Sequence, residues 1–323
     1  MIISDPTIFW QIVDENTSLD DLANRVASCY LMGHRGFDVN YINAHDAPLR
    51  NTGAIKLHGP EGFAGMRAVG NKAAQTLDLL APYVVAGVST AELDAKALEI
   101  TMDLGAAPAP LNYRGFTASI CTSINHVVCH GIPGDRILRE GDIVNVDVTL
   151  IYEGWHGDTS RMFGIGDVSI KAKRLMDVTY DSMMAGIALV KPGTRLGDIG
   201  AAIQQTAEAA RFSIVRDFCG HGLGRVFHDT PNVLHYGRPG EGVELRPGMF
   251  FTIEPMLNIG KPAVKILADG WTAVTRDRTL SAQYEHSVGV TETGVEIFTQ
   301  SQCGLDTPHR SSIDFDVSAH GDA

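Results

Sequence analysis

A chain of 323 residues with 44% hydrophobic and 20% charged residues has the balance of a soluble globular protein, with enough length for one large domain or two smaller ones. The formal net charge of −12 argues against generic nucleic-acid binding, which needs positive charge to displace counterions from phosphate. The five cysteines, Cys29, Cys121, Cys129, Cys219 and Cys303, are sparse and include no CxxC pair, so neither a disulfide framework nor a zinc ribbon is expected.

The N-terminus, "MIISDPTIFWQIVDENTSLDD", lacks a basic region and turns acidic early, so it does not read as a secretory signal. No apolar run approaches the roughly 18 residues of a membrane span. A reducing cytoplasm is the expected home. Residues 1–55 read as an extension of unknown role. Within it, "TSLDDLANRVASCYLMG" predicts a short helix, capped by Thr17 or Ser18, with Leu22, Val26 and Tyr30 at helical spacing. "APLRNTG" then reads as a linker.

A mixed α and β body occupies 56–299. "GPEGFAGMRAVGNKAAQTLDLLAPYV" predicts a helix opening at Pro60, and "STAELDAKALEITMDLG" a second, capped by Ser89 or Thr90 and stopped by Gly105. Strand-like residues follow at 117–124 and across 144–163. Helical patterns return at 168–190 and 195–211, then strand-like runs at 213–219, 250–256 and 284–298. A weak repeat relates 84–97 to 190–203 at an offset of 106, pairing Gly87 with Gly193 and Leu93 with Ile199. It implies two pseudo-symmetric halves with a site between them. The polar, acidic segment 300–323 reads as a disordered tail.

The stretch "VNVDVTLIYEGWHGDTSRMF" (144–163) concentrates the chemistry. Val144, Val146, Val148 and Leu150 alternate with Asn145, Asp147 and Thr149, the period of a strand with one core face. Glu153-Gly154 signals a turn, and the returning strand carries His156, Asp158, Ser160 and Met162 on one face. A turn centred near 152.5 sets Asp147 directly opposite Asp158. A slip of two in the pairing sum sets them diagonally on the same face, and a slip of one separates them. Two facing carboxylates repel, so either this face meets water or a cation lies between them.

Later residues supply candidate partners. Glu254 sits in the apolar run "FFTIEPML", Glu285 in "SAQYEHSVGV", and His221 lies between glycines in "FCGHGLGR". A carboxylate inside an apolar run is costly unless paired or metal-bound. Asp147, Asp158, Glu254, Glu285 and His221 together make an oxygen-rich ligand set that could hold two divalent ions roughly 3.5 Å apart. Such a set suits Mn²⁺, Fe²⁺, Co²⁺ or Zn²⁺. His130 and His228 stand outside it, as neutral imidazoles able to donate to an oxyanion or contact a substrate nitrogen. His126, His235 and His286 are read as ordinary loop or core histidines.

"SINHVVCHGIPG", "GDIVNVDVTLIYEGWHGDTSRMF", "FCGHGLGRVFHDTPNVLHY", "PGMFFTIEPML" and "DGWTAVTRDRTLSAQYEHSV" resemble, in order and spacing, the blocks of the type I methionine aminopeptidases. The resemblance covers about 56–299. It implies an α+β pita-bread fold, with two pseudo-symmetric halves around a dinuclear metal site. It implies that Asp147 binds one metal, that Asp158 and Glu285 bridge both, and that His221 and Glu254 complete the other shell. His130 and His228 match the substrate-orienting histidines. Tyr113, Phe116, Cys121, Phe227, Met256 and Trp271 match the pocket for the methionine side chain. The implied reaction is metal-assisted hydrolysis of the first peptide bond, with Glu254 shuttling a proton, His228 stabilising the oxyanion and a small second residue favoured. Nascent N-termini are the implied substrate, which makes the ribosome a candidate partner; no membrane or specific nucleic-acid partner is expected, and the chain is expected to be a monomer.

Type II members carry a long insertion between the positions of Glu254 and Glu285, which are only 31 residues apart here. The chain departs from the family at Thr117-Ala118, where Pro-Lys is common, at Arg114 and at His126. These departures touch fine specificity rather than metal binding. The related proline-specific peptidases generally carry a larger N-terminal domain, and non-catalytic members of the fold lose ligands that are all present here.

Overall fold

The computed structural model describes residues 39–308. The helix read in 17–30 and the chain beyond 308 lie outside the described residues.

All four predicted helices of the body form. α1 (Pro60–Leu80) starts on Pro60, where a missing backbone N–H leaves no bond unmade. α2 (Thr90–Asp103) is capped by Ser89, whose Oγ accepts from the Glu92 N–H while the Glu92 carboxylate accepts from the Ser89 N–H. α3 (Ile170–Ile187) is capped by Ser169. At the start of α4 (Leu196–Ala209) the Asp198 carboxylate accepts from the Arg195 N–H.

The repeat read in the sequence is a repeat in space. α2 and α4 begin and end at the same offset of 106. The loops before them also match. Gly87 and Gly193 both have positive φ, at 94° and 86°. Their N–H groups donate to Leu138 O and Leu245 O, both at 2.9 Å. In each half a glycine of positive φ follows, Gly141 or Gly248. Six residues beyond each glycine stands an acid, Asp147 in one half and Glu254 in the other.

Strands Ile143–Tyr152 and Trp155–Gly164 form the long hairpin. Glu153 and Gly154 both take positive φ, at 50° and 78°, as a two-residue hairpin turn of matching twist requires. The register pairs Asp147 with Ser160 and Thr149 with Asp158. The aspartates are therefore diagonal on one face, not directly opposite, because the turn closes one residue later than the assumed centre. Val144, Val146, Val148 and Leu150 pack the other face against Met66, Val69 and Leu77 of α1. The second half has its own core, in which α3 and α4 pack on Phe251, Ile253, Leu257 and Tyr284.

Four predicted runs are shorter or more broken than expected, 284–298 among them, which forms His286–Val290 and Val295–Ile297. The 117–124 run forms a strand only at Cys121–Ile124, and 213–219 only at Ser213–Ile214. The 250–256 run divides: Phe250–Ile253 pairs with His286–Val290, whereas Met256–Asn258 pairs with Ser281–Gln283. Glu254-Pro255 is the break on one side and Tyr284-Glu285 the break on the other. Short strands at Val127–Cys129, Asp229–Val233, Val264–Ile266 and Ala273–Thr275 carry too few residues for a periodic signal.

The chain ahead of α1 packs on the body. Tyr41–Asn43 pairs in parallel with Ile55–Leu57, and Tyr41 Oη donates to Glu244 O at 2.7 Å. At the other end, Asp306 lies 3.4 Å from buried Arg161 and accepts from Ser301 N–H.

Candidate metal centre and substrate pocket

The hairpin's polar face is covered by the sheet that contains Gly220–Gly222, Phe250–Ile253 and His286–Val290. Ser160 bridges directly to Glu285, and Ser287 Oγ donates to Asp158 O at 2.6 Å. This closes the two halves on one another. Asp158, Glu285 and His221 are only 3%, 3% and 5% exposed, so bulk water does not screen the charge.

Ligand atoms of Asp158, His221 and Glu285 all lie within 4.8 Å of one another. His221 Nε2 is 3.6 Å from Asp158 Oδ2 and 3.7 Å from Glu254 Oε1. Its Nδ1 lies 3.0 Å from Gly222 O, and donation there leaves the Nε2 lone pair facing two carboxylates. Such a lone pair needs a proton or a cation between it and those oxygens. Asp147 Oδ1 is buried without a hydrogen-bond partner. Burial, then Asp158 and Glu254, holds the Asp147 carboxyl well above the usual range. Burial, then Asp158 and Glu254, does the same for Glu285. Burial pushes Glu254 up to about 7, with His221 opposing. For His221 burial opposes protonation, but the neighbouring Asp158 and Glu254 carboxylates outweigh it and raise the imidazole. An oxygen-rich donor set with one imidazole fits divalent ions.

Side chains outside the ligand set fix these groups. Thr149 Oγ1 donates to Asp158 Oδ1 at 2.7 Å, Thr252 Oγ1 to Glu254 Oε1 at 2.8 Å, and Gln283 Nε2 to Glu254 Oε2 at 3.2 Å. Sequence reading passed over all three. Thr149 and Thr252 each stand two residues from an acid on the same strand face, which was the available signal. His235 and His286 are the buried, bonded histidines expected: His235 Nε2 accepts from the Glu254 N–H, and His286 Nδ1 meets Thr299 Oγ1.

One cavity of ≈ 110 Å³ brings together the residues read as ligands, substrate-orienting histidines and side-chain pocket. Asp147, Asp158, His221, Glu254 and Glu285 line it. Tyr113, Phe116, Cys121, Phe227, Met256 and Trp271 line it as well, with His130 and His228. Phe116 meets Trp271 edge to face at 5.1 Å, and Cys121 pairs across the sheet with Asp147. Pro110, Thr149, Asp217, Phe218 and Cys219 also line the cavity and were not foreseen. They come from loops and a strand remote in sequence, brought in by the tertiary fold.

In the two cavity histidines outside the ligand set, burial favours the neutral imidazole. Burial lowers His130 to about 4 and takes His228 well below its ordinary value, where His221 and His130 add to the effect. His228 Nδ1 lies 3.0 Å from Tyr113 Oη, and its ring is 4.3 Å from that of His221. His130 sits edge-on to Phe218 and Trp271 with φ 55°, a left-handed backbone unusual for a residue with a side chain. Such strain concentrates at sites where the surrounding structure over-determines a side chain's position.

The pattern of metallopeptidase family M24 matches residues 64–292. The methionine aminopeptidase of Rickettsia prowazekii (strain Madrid E) is 57% identical over 255 residues, spanning 79% of this chain and 98% of that protein. The crystal structure of methionine aminopeptidase from Rickettsia prowazekii matches with a TM-score of 0.75, over 76% of this chain and 99% of that one. Prolidase from Pyrococcus furiosus, 17% identical, matches with a TM-score of 0.61 over 76% of this chain and 66% of that one, a likeness of fold alone. The fold is the pita-bread fold that the sequence blocks imply. The chain belongs to metallopeptidase family M24 and, within it, to the methionine aminopeptidases.

Proposed function

We propose that the site removes the N-terminal methionine from proteins and peptides by metal-dependent hydrolysis of the first peptide bond. The observation that carries this reading is the joining, in one cavity, of buried acids and His221 with an aromatic, sulfur-tolerant wall. Asp147, Asp158, His221, Glu254 and Glu285 would hold two divalent ions, of Co, Mn, Fe or Zn, with Asp158 and Glu285 shared between them. The ions supply Lewis acidity, which acidifies water and polarises the scissile carbonyl.

The chain's own residues do the rest. Tyr113, Phe116, Cys121, Phe227, Met256 and Trp271 surround the methionine side chain. Glu254 carries the proton from the attacking water toward the leaving amine. Donation from Tyr113 Oη to His228 Nδ1 leaves Nε2–H of His228 as the donor to the developing oxyanion. His130, neutral and held edge-on between aromatics, orients the substrate amide. The small cavity supports a preference for a small second residue. The short Glu254–Glu285 interval supports the type I form. The reading extends to nascent chains as substrates, to action near the ribosome in the cytoplasm, and to a monomer, which gel filtration would check.

The test is hydrolysis of Met-Ala-Ser and Ala-Pro-Ser after chelation and add-back of Mn²⁺, Fe²⁺ or Co²⁺, with products read by mass spectrometry. Metal-dependent loss of methionine alone is expected. Cleavage of the proline peptide alone would move the chain to the prolidase side of the fold.

A further inference from the structure

The second strand of the parallel pair, Ile55–Leu57, and the loop before it reach the loop that carries His228. Lys56 is 9% exposed, and its Nζ donates to Asp229 Oδ2 at 2.7 Å and to Arg50 O at 3.1 Å. Asp229 is 5% exposed and directly follows His228 in the chain. Its other carboxylate oxygen, Oδ1, accepts from the Thr230 N–H at 2.9 Å. Asn51 grips the same loop. Its Nδ2 donates to His228 O at 3.5 Å, and its Oδ1 accepts from Thr230 Oγ1 at 3.1 Å. The strap is itself anchored: His58 N–H donates to Gly248 O at 2.8 Å, and the His58 ring stacks on Phe250 at 4.3 Å. The loop is thus held on both sides of the His228 backbone by residues far away in sequence.

A buried ion pair is a poor way to gain stability, since desolvation of both charges offsets most of their attraction. Its distinct capacity is to fix geometry. The His228 ring has one side-chain hydrogen bond, to Tyr113 Oη, and otherwise packs on Phe227 and His221. Its place over the cavity therefore depends on where its backbone is held.

We propose that Lys56, through Asp229 and with help from Asn51, is a positioning residue for the reaction: it holds the His228 backbone so that the imidazole meets the developing oxyanion. The proposal rests on the reading of His228 given above. Lys56 is not among the residues that line the cavity, so its loss acts on turnover more than on metal uptake.

The experiment is a double-mutant cycle on Met-Ala-Ser hydrolysis by the metal-loaded full-length chain. Lys56→Met is expected to lower kcat about tenfold or more, as displacement of a reacting group by a fraction of an ångström does, with KM and manganese titration unchanged. Lys56→Arg restores the ion pair and most of the turnover. In a His228→Ala background, Lys56→Met has no further effect on kcat. Loss that multiplies undiminished in that background, or loss confined to metal affinity, overturns the positioning role. If Lys56→Met does not fold, Asn51→Ala enters the same cycle and must show a smaller loss that also vanishes beside His228→Ala. Full turnover in His228→Ala alone removes the oxyanion reading itself and the proposal with it, an outcome distinct from failure of the cycle.

Discussion

Asp158 sits where the two halves close. Its carboxylate accepts from Thr149 Oγ1, faces His221 Nε2 and lies 3% exposed. Asp158→Asn removes a negative ligand from that centre and is expected to lower both manganese affinity and turnover by at least about 100-fold, because even partners outside the ligand shell cost roughly 10–100-fold. Isothermal titration and peptide hydrolysis check the two separately, and full activity would sink the bridging role. Thr149→Val keeps the shape but leaves Asp158 Oδ1 without its donor. A loss of about 10–100-fold in metal affinity is expected, with little change in substrate KM. Glu254→Gln tests proton transfer. Turnover should fall by about 10²–10⁴ while the far-ultraviolet circular dichroism stays that of the parent. Unchanged turnover would take Glu254 out of the mechanism.

Glu254 and Glu285 show what elements contribute. Each stands where one strand ends and the next begins in a different sheet, so a carboxylate leaves the ladder and turns into the cavity. A continuous apolar run such as 250–256 gives no sign of that break except Pro255, which cannot donate to a ladder. The hairpin is legible in the opposite way. Its alternation and its Glu153-Gly154 turn set which face is polar, while the register depended on a closure one residue later than the midpoint. α1 presses on this hairpin closely. A Cβ on Gly157 would lie 2.9 Å from the Val69 carbonyl, with backbone on one side and no flexible side chain to yield. Gly157→Ala is expected to destabilise the fold by about 1–3 kcal/mol by overpacking, read as a lower urea midpoint at unchanged m-value. An unchanged midpoint would mean that α1 can draw back without cost.

At the scale of the molecule, the closing of two halves buries four acids together. In the chelated protein Asp147 and Glu285 are raised well above their ordinary values, and Glu254 rises from 4.5 to about 7. A carboxyl raised by folding keeps a proton that the unfolded chain has lost, so stability falls as pH climbs from the unfolded value toward the folded one. Buried histidines held below their ordinary values, among them His58, His130, His228, His235 and His286, act in the opposite sense between pH 5 and pH 7, so the carboxyl contribution shows in the metal-dependent part of the stability rather than in the chelated protein alone. Added Mn²⁺ should raise the melting temperature most at the higher pH, because the ions replace those protons. Calorimetry at the two pH values checks this, and a manganese-induced rise no larger at pH 7 than at pH 5 contradicts the buried cluster.

The sequence by itself pointed to the helices, the polar hairpin face, the two-fold repeat and the candidate ligands Asp147, Asp158, His221, Glu254 and Glu285. It could do so because capping, strand alternation and paired glycines are local, and because acids in apolar runs are costly enough to stand out. Only the tertiary structure decided the diagonal placing of Asp147 and Asp158, the turning inward of Glu254 and Glu285 at strand breaks, and the threonines that hold the acids. It also decided that residues 50–58, read as a linker and the start of the body, clamp the His228 loop. Lys56–Asp229 and Asn51–His228 join positions 173 and 177 residues apart, and a contact at that distance leaves no period, cap or turn in the chain that makes it. The strand breaks come from pairing of 250–258 with 281–290, and the diagonal placing from a one-residue difference in turn closure that alternation does not resolve.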